Sequence, residues 1–394
     1  MEKDMKRNFA NTKATLLCAA LLSPLALALA AGCTGCNIPG TDEKTAPKRP
    51  DSIAIMTWNM ESLFDGVDDG IEYDEYRESA GWTQEKYRGR LNVIANAIGG
   101  MNRKPDIIAL QEIESTLVIA DLAAALSAQG YGWTHFANIP GMALGVGMLS
   151  RFPLSAARSH SVTINGDLAP RPMLEVQVNT GADADGSSLA LFVCHWKSKL
   201  GGDDATESTR RASARIILRR LRELMESDPD LPVIIMGDLN ENYDEFYRRS
   251  GTAISALLPD DPRAAEFTGL YGLDEHDADI AAIIGELQKD FIIISKNKPP
   301  AARYFPAGVV ALYSPWASEL QDGSYYYKND WETIDHFLLS PQLFNGSGWD
   351  FETCQVVNYP PFVSAKGFPV SYNPRTGSGM SDHLPLLLIL IMRN

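Results

Sequence analysis

Residues 231–240, Leu-Pro-Val-Ile-Ile-Met-Gly-Asp-Leu-Asn, constrain the fold more than any other stretch of the chain. A β-branched apolar run of this length is typical of a strand that is buried on both faces. Asp238 and Asn240 follow the run directly. In extended geometry two residues separated by one position leave the same face, so both side chains are expected to reach one ligand. Gly-Asp-x-Asn is also good turn chemistry, and the stretch alone leaves both interpretations open.

The same pattern recurs along the chain. Apolar, β-prone runs at residues 53–58, 106–110 and 189–194 each end in polar side chains, and two later loops carry Asp-His pairs or an isolated Asp. The polar residues at these positions are Asn59, Glu61, Glu112, His195, Asp335, Asp382 and His383. Ligands at one rim of a pair of sheets share one space, so the recurrence indicates a single site rather than unrelated turns.

Helical patterns lie between the strand-like runs. Thr83 is expected to cap a helix that extends to about Gly99, and residues 206–226 predict a long helix with six arginines. Most of these guanidinium groups are expected at the surface or in i,i+4 pairs, with one or two near the N-terminal end within reach of a phosphate. Residues 243–311 show the least pattern.

The start of the chain predicts an export signal. Four basic residues precede an apolar run at residues 16–31, which is too short and wrongly flanked for a transmembrane helix. Residues 29–33 resemble a bacterial lipoprotein box, in which Cys33 becomes the lipidated first residue; ordinary cleavage near Ala31 is the alternative. We therefore expect a signal peptide at 1–32, a flexible tether at 33–50 and one folded domain at 51–394.

Charge and cysteine content set further limits. The formal net charge of −15 argues against a broadly basic nucleic-acid-binding coat, but it permits a local positive cleft or a bound cation. Cys194 and Cys354 are the two cysteines of the folded body. Two scattered cysteines do not make a disulfide framework, although a bridge between them stays open at this point.

Seven segments together resemble the endonuclease/exonuclease/phosphatase superfamily, which includes deoxyribonuclease I, abasic-site endonucleases, bacterial sphingomyelinases and inositol polyphosphate phosphatases. The resemblance covers residues from about 53 to 392 in the family's order. It implies an α+β fold, a four-layer α/β/β/α sandwich of two mixed β-sheets with helices outside and one catalytic cleft. The segments are Thr57-Trp58-Asn59, Leu110-Gln111-Glu112, residues 146–153, Cys194-His195, residues 237–240, Ile334-Asp335-His336 and Ser381-Asp382-His383.

The resemblance implies a divalent metal site. Glu112 would be the main Mg²⁺ ligand, with Asn59 close by and Glu61 and Asp382 as further metal-site residues. Mn²⁺ or Ca²⁺ would be the alternative ions. Oxygen ligands and retained waters are what Mg²⁺ prefers.

The resemblance also implies catalytic roles. Asp238 would orient or deprotonate the attacking water, and Asn240 would hold a phosphate oxygen. His383 would contact the scissile phosphate while Asp335 pairs with its imidazole, and His195 would lie near the leaving oxygen. The implied reaction is in-line attack of water on a phosphodiester.

Three functions follow as expectations. The Cys194-His195-Trp196-Lys197-Ser198-Lys199 segment is similar to the corresponding stretch of secreted bacterial nucleases, which favours a nuclease that acts on nucleic acid. A sphingomyelinase-like phospholipase C and a non-catalytic surface scaffold are the alternatives. The chain is expected to act as a monomer without a protein partner, outside the bacterial cytoplasm, anchored to the membrane through Cys33 or secreted.

Overall fold

The computed structural model describes residues 50–393 except 165, 170, 182–187 and 274–278. Its strands are β1 (Ser52–Leu63), β2 (Ile107–Ile113), β3 (Trp133–Ala137), β4 (Gly145–Ser150), β5 (Leu154–His160), β6 (Thr163–Ile164), β7 (Asp167–Leu168), β8 (Met173–Asn179), β9 (Ser188–His195), β10 (Val233–Asp238), β11 (Leu257–Pro259), β12 (Ile292–Ser295), β13 (Ala311–Tyr313), β14 (Tyr325–Tyr327), β15 (Asp330–Glu332), β16 (Asp335–Leu339), β17 (Gly348–Val356) and β18 (Leu386–Arg393). Its α-helices are α1 (Gln84–Gly99), α2 (Thr116–Ala125), α3 (Asp203–Ser227), α4 (Glu245–Arg248), α5 (Pro262–Thr268) and α6 (Ile280–Leu287).

Two large sheets contain most of the strands. The first has the order β17-β18-β1-β2-β4-β3, and the second has the order β11-β12-β13-β16-β10-β9-β8-β5. Both sheets are mixed, because β1 is parallel to β2 and antiparallel to β18, while β10 is parallel to β9 and antiparallel to β16. The predicted fold class is confirmed.

Side chains alternate along the strands, so one face of each sheet packs against the other sheet and the opposite face packs against helices. On β1, Ile53 and Ile55 pack in the core between the sheets, whereas Met56 and Trp58 pack against α1 and α2. On the second sheet, Phe192 and its outward-facing neighbours pack against α3. This period of two is what a strand with two buried faces requires, and it produces four layers.

The apolar core between the sheets becomes polar at one end. Along β10, Ile234 and Met236 lie in this core, and Asp238 is the next residue on the same face. Along β9, Leu191 and Val193 are likewise followed by His195. The same change of polarity occurs on β1 and β16, so buried polar side chains from both sheets meet at one rim.

Predicted helices are confirmed, with shifted bounds in one case. The Thr83 side chain caps α1 by accepting a hydrogen bond from the Lys86 N–H. The long helix α3 begins at Asp203, three residues before the expected start. Residues 243–311 contain β11, β12 and three helices of four to eight residues. Elements this short complete too few turns for a hydrophobic period to be recognised.

The arginines of α3 stabilise the fold. Arg210 is fully buried and donates to Glu207, while Arg211 and Arg215 both pair with Asp290. These contacts occupy the arginines near the N-terminal end of α3, so they do not support the expectation that one or two of these arginines reach a phosphate.

Cys194 and Cys354 are buried as free thiols in different core layers, so they do not form the bridge that the sequence left open.

The described residues belong to one compact unit, Ala46–Asn394. The predicted signal peptide and most of the tether lie outside the described residues, and their boundaries stay predictions. Within the described part of the chain, none of the helices has the length and apolar character needed to span a bilayer.

A buried ion pair ties α3 to the second sheet. Arg220 donates to both oxygens of Glu175 on β8, at 2.9 and 2.7 Å, and His160 Nε2 lies 2.6 Å from Glu175 Oε2. Burial raises the pKa of the Glu175 carboxyl, but hydrogen bonds from His160 and Arg220 outweigh burial and lower the pKa to about 2.

We expect Glu175→Gln to lower the free energy of unfolding by about 3 kcal/mol at pH 7. The folded-state pKa lies below the usual value of 4.5, so this stabilisation is complete above pH 4.5 and is lost as the pH falls towards 2. The difference between wild type and variant should shrink by about 2 kcal/mol between pH 7 and pH 3 in urea titrations. A difference that does not change with pH would contradict this assignment.

Candidate active site

Three neighbouring strands of the second sheet place three predicted site residues in one row. Asp238, the last residue of β10, is in register with His195 on β9 and with Asp335 on β16. Gly237 precedes Asp238 with φ of 126°, and a Cβ at this position would lie 2.0 Å from the Cys194 carbonyl oxygen. The glycine therefore permits the close approach of β9 and β10 on which the row depends.

Asn59 connects this row to the first sheet. Its side-chain Nδ2 lies 3.0 Å from Asp238 Oδ2 and 3.5 Å from Glu112 Oε1, and the residue is buried. Its Oδ1 accepts a hydrogen bond from the Glu61 N–H at 3.0 Å. One amide thus lies between two carboxylates that come from different sheets.

Glu112 faces the cleft from a β-bulge. The pairing of β2 with β4 shifts register around this residue, and its φ is +61°. A bulge redirects a side chain that regular alternation would send elsewhere. Glu112 Oε2 accepts hydrogen bonds from the Ser62 N–H at 2.8 Å and Oγ at 3.1 Å, and Oε1 lies 3.5 Å from His195 Nε2. The carboxylate is fixed in position but still lines a cleft of about 910 Å³.

Asn240 reaches the site by a different geometry from the expected one. The strand ends at Asp238 and Asn240 has φ of +51°, so the extended geometry expected for this pair was wrong. The Asn240 N–H instead donates to Asp238 Oδ1 at 2.9 Å, and its Nδ2 donates to the Trp196 carbonyl at 3.2 Å. Left-handed, non-glycine residues are costly and often occur at functional sites; Glu61, Ser62 and Glu112 share this conformation here.

The two histidines have opposite charge preferences. Burial lowers the pKa of His383, but Asp335, whose Oδ2 lies 2.8 Å from His383 Nδ1, outweighs burial and holds that pKa well above its usual value. Burial, together with the positive charges of Arg171 and His383, lowers the pKa of His195 well below its usual value. His383 is therefore an imidazolium near neutral pH, and His195 is a neutral imidazole.

Asp238 is poised to exchange a proton near neutrality. Burial and the charge of Asp335 raise its pKa to about 7, against the opposing charge of His383. Its carboxylate is oriented by the Asn59 and Asn240 donors described above. A carboxylate with this pKa and fixed orientation is suited to general-base catalysis.

Glu61 and Asp382 lie near Glu112. Glu61 Oε1 accepts from Ser371 Oγ at 2.5 Å, and its Oε2 accepts from the Tyr372 N–H at 2.6 Å, so both oxygens contact the 371–372 segment. Burial and the negative charges of Glu61 and Glu112 raise the pKa of Asp382. The carboxylates of Glu61, Glu112 and Asp382 therefore concentrate negative charge in one region. An all-oxygen donor set with unbalanced negative charge fits a hard divalent cation such as Mg²⁺.

Another acidic group lies in the 65–78 loop. In the described part of the chain, the one set of three acidic, histidine or cysteine side chains with ligand atoms within 4.8 Å of one another is Asp69, Glu72 and Glu114. Glu72 accepts hydrogen bonds from the N–H groups of Asp69 and Gly70, and Glu114 accepts one from the Asp65 N–H. These bonds account for Glu72 and Glu114, which are both buried, as supports of the loop backbone.

Three residues of the site environment were missed by sequence reasoning. Arg171 lines the cleft and donates to the Trp196 carbonyl at 2.6 Å. Arg90, fully buried in α1, donates to the carbonyls of Glu61 and Met380 and so joins the ends of two site segments. Ser324 Oγ donates to Asp335 Oδ2 at 2.6 Å. The motif order does not include any of the three, and their roles depend on distant contacts.

The sequence matches the model of the Endonuclease/Exonuclease/phosphatase family over residues 53–270. That stretch contains the β1, β2, β9 and β10 strand ends described above. The chain belongs to the endonuclease/exonuclease/phosphatase family. The predicted resemblance is confirmed, and membership supports phosphoester hydrolysis as the reaction class; enzymes of this family commonly use divalent metal ions.

Solved structures of family proteins are similar to this chain. Truncated TDP2 from Caenorhabditis elegans is 13% identical, with 86% of this chain and 97% of that chain covered and a TM-score of 0.48. The human Nocturnin catalytic domain is 14% identical, with 86% and 93% covered and a TM-score of 0.48. An endonuclease/exonuclease/phosphatase family protein from Bacteroides thetaiotaomicron is 15% identical, with 87% and 98% covered and a TM-score of 0.46. Curated protein sequences gave no significant match.

We expect Asn59→Ala to destabilise the protein by about 1–3 kcal/mol. The change removes the amide donor from the buried Asp238 carboxylate, and it also removes the amide that lies between the carboxylates of Asp238 and Glu112. Urea unfolding at pH 7.5 measures the loss. Asn96→Ala, at an exposed position of α1, is the matched control and should change stability by less than about 0.5 kcal/mol. Equal effects of the two substitutions would remove Asn59 from its role between the sheets.

Proposed function

We propose that this chain is a Mg²⁺-dependent phosphodiesterase, and specifically an exported nuclease that hydrolyses phosphodiester bonds of nucleic acid. The observation that carries the proposal is the row of His195, Asp238 and Asp335, which lies next to Glu112 of the other sheet, with His383 charged and His195 neutral. Titratable groups whose pKa values are driven apart in one cleft are characteristic of acid–base chemistry.

Glu112 is the proposed principal metal ligand, with Asp382 and Glu61 contributing negative charge and Asn59 orienting Glu112. Mg²⁺ is the proposed ion, and Mn²⁺ or Ca²⁺ could replace it in the same donor set. When bound, the ion would neutralise charge on the phosphate. Glu112 suits this role because it is fixed by Ser62 and yet open to the cleft.

The remaining residues have separate proposed tasks. Asp238 orients the attacking water and accepts its proton. Asn240, which lines the cleft, holds a phosphate oxygen, and the His383 imidazolium stabilises the negative charge that builds up on the phosphate. Asp335 keeps His383 charged and oriented. His195, neutral at the adjacent strand end, serves the leaving oxygen.

Nucleic acid is the proposed substrate because the cleft offers a phosphate the guanidinium group of Arg171, although the chain is acidic as a whole. Lys199 also lines the cleft, but its ammonium group pairs with Glu245 at 2.6 Å. Arg171 also lies close enough to His195 and Asp238 to shift their pKa values. The export signal, lipidation at Cys33 and an extracytoplasmic location belong to the same proposal, as does action as a monomer.

Supercoiled DNA incubated with Mg²⁺ tests the proposal. We expect wild type to nick the DNA, and Glu112→Ala and His383→Ala to lower the rate by about 10²–10⁴-fold. Glu85→Ala and His135→Ala are matched controls outside the cleft, and both should keep the wild-type rate. EDTA should abolish nicking by every active variant.

A folded, metal-binding protein that does not nick DNA or cleave RNA would contradict the nuclease assignment. Hydrolysis of sphingomyelin vesicles by the same preparation would then assign the cleft to a phospholipase C reaction. Binding of either substrate without turnover would instead favour the scaffold alternative.

A further inference from the structure

The β14–β15 hairpin carries three consecutive tyrosines beside the cleft. Its turn residues Lys328 and Asn329 have φ of +49° and +66°, a two-residue turn of the kind that matches strand twist. Because successive side chains of a strand point to opposite faces, Tyr326 lies on one face of the hairpin, and Tyr325 and Tyr327 lie on the other. Tyr326 packs on Phe368, with ring centroids 4.3 Å apart, whereas Tyr325 and Tyr327 both line the cleft.

Tyr325 and Tyr327 continue a stack of rings that begins at His383. The centroids of His383 and Tyr325 are 4.5 Å apart with an interplanar angle of 25°, and those of Tyr325 and Tyr327 are 5.9 Å apart at 17°. Exposure rises along the stack, from the buried His383 to Tyr327, which is 48% exposed. A nearly parallel series of aromatic rings therefore leads from the proposed phosphate-binding imidazole to solvent.

The hairpin is fixed relative to this imidazole. Tyr325 forms a β-bridge with His383, and the Leu384 N–H donates to the Ser324 carbonyl at 2.7 Å. The Ser324 side chain also binds Asp335, the partner of His383. The stack is thus held in place before substrate arrives, which lowers the entropic cost of binding.

The outer end of the stack carries a positive charge. Lys328 Nζ lies 5.0 Å from the centroid of the Tyr327 ring. Among the described side chains, no carboxylate lies within 4.0 Å of this ammonium group, and Lys328 lines the same cleft. A ring face followed by an ammonium group matches a base followed by a phosphate.

We propose that Tyr325 and Tyr327 form a stacking subsite for an unpaired nucleobase beside the scissile phosphate, and that Lys328 contacts the next phosphate. The proposal deepens the nuclease function and rests on it. Bases of all four types present a π-face, so this subsite recognises single-stranded nucleic acid with little sequence preference. A phospholipid headgroup has neither a planar ring for Tyr327 nor a second phosphate for Lys328.

Binding of a short single-stranded oligonucleotide that contains 2-aminopurine tests the subsite. The titration uses the full chain in EDTA, so that hydrolysis does not intervene, and follows both anisotropy and 2-aminopurine quenching. Tyr327→Ala should weaken binding by about five- to twentyfold and relieve quenching, while Tyr327→Phe stays within about twofold of wild type. Tyr271→Ala, at a 53% exposed tyrosine outside the cleft lining, is the matched control and should bind like wild type.

An oligonucleotide with abasic units at the flanking positions separates stacking from charge. For this ligand, Tyr327→Ala and wild type should bind within about twofold of each other. Lys328→Ala should lower the slope of log Kd against log salt by about 0.7, the value for one phosphate contact with a single strand. Tyr327→Ala should leave that slope unchanged.

A Tyr327→Ala variant that binds the base-containing oligonucleotide as wild type does, or loses equal affinity for both ligands, would overturn the subsite. Tyr327-dependent binding of phosphatidylcholine vesicles, with no affinity for oligonucleotides, would also overturn it and assign the rings to a choline headgroup. Tyr327-dependent oligonucleotide binding without hydrolysis in Mg²⁺ would support the subsite while contradicting the nuclease function.

Discussion

The Asn59 side-chain amide, buried between Asp238 and Glu112, is the contact on which the rest of the site depends. The two sheets are held together by an apolar interface over most of their length, and burying carboxylates at its rim is unfavourable unless donors accompany them. Asn59 supplies such a donor to both sheets at once. The site is therefore built as the polar end of the core, and its geometry follows from the register of the strands rather than from flexible loops.

The charges at this rim differentiate the site residues. Asp335 is bound by Ser324 and by His383, and its charge keeps the His383 imidazole charged. The carboxylate oxygens of Glu112 and Asp238 lie 3.5 Å from His195 Nε2, and burial together with the charges of Arg171 and His383 keeps this imidazole neutral. Burial and the charge of Asp335 raise the pKa of Asp238 to about 7, against the opposing charge of His383. The row of His195, Asp238 and Asp335, with His383 bound to Asp335 from outside the row, thus brings a carboxylate, a cation and a neutral imidazole together, a set that suits the proposed phosphoester hydrolysis.

The strand ends can be recognised in the sequence, because a buried strand appears there as an apolar run that stops at a polar residue. The convergence of Asn59, Glu112 and Asp238 could be predicted in this way, and the four-layer sandwich followed from the resemblance to the family. The positive φ of Asn240 and the bulge at Glu112 could not, because they depend on how neighbouring strands pair. The stack of Tyr325 on His383 could not be predicted from the sequence either, because it joins residues 58 positions apart through a β-bridge.

We propose that the carboxylates at this rim, with Glu112 foremost, bind a divalent cation that the reaction requires. Calorimetric titration of Mg²⁺ into the substrate-free protein, for wild type and for Glu112→Gln, tests it most directly. We expect a binding isotherm in the millimolar range or tighter for wild type, and its loss in Glu112→Gln with no loss of thermal stability. An isotherm that is absent from wild type, or that survives unchanged in Glu112→Gln, would show that Glu112 does not hold a cation.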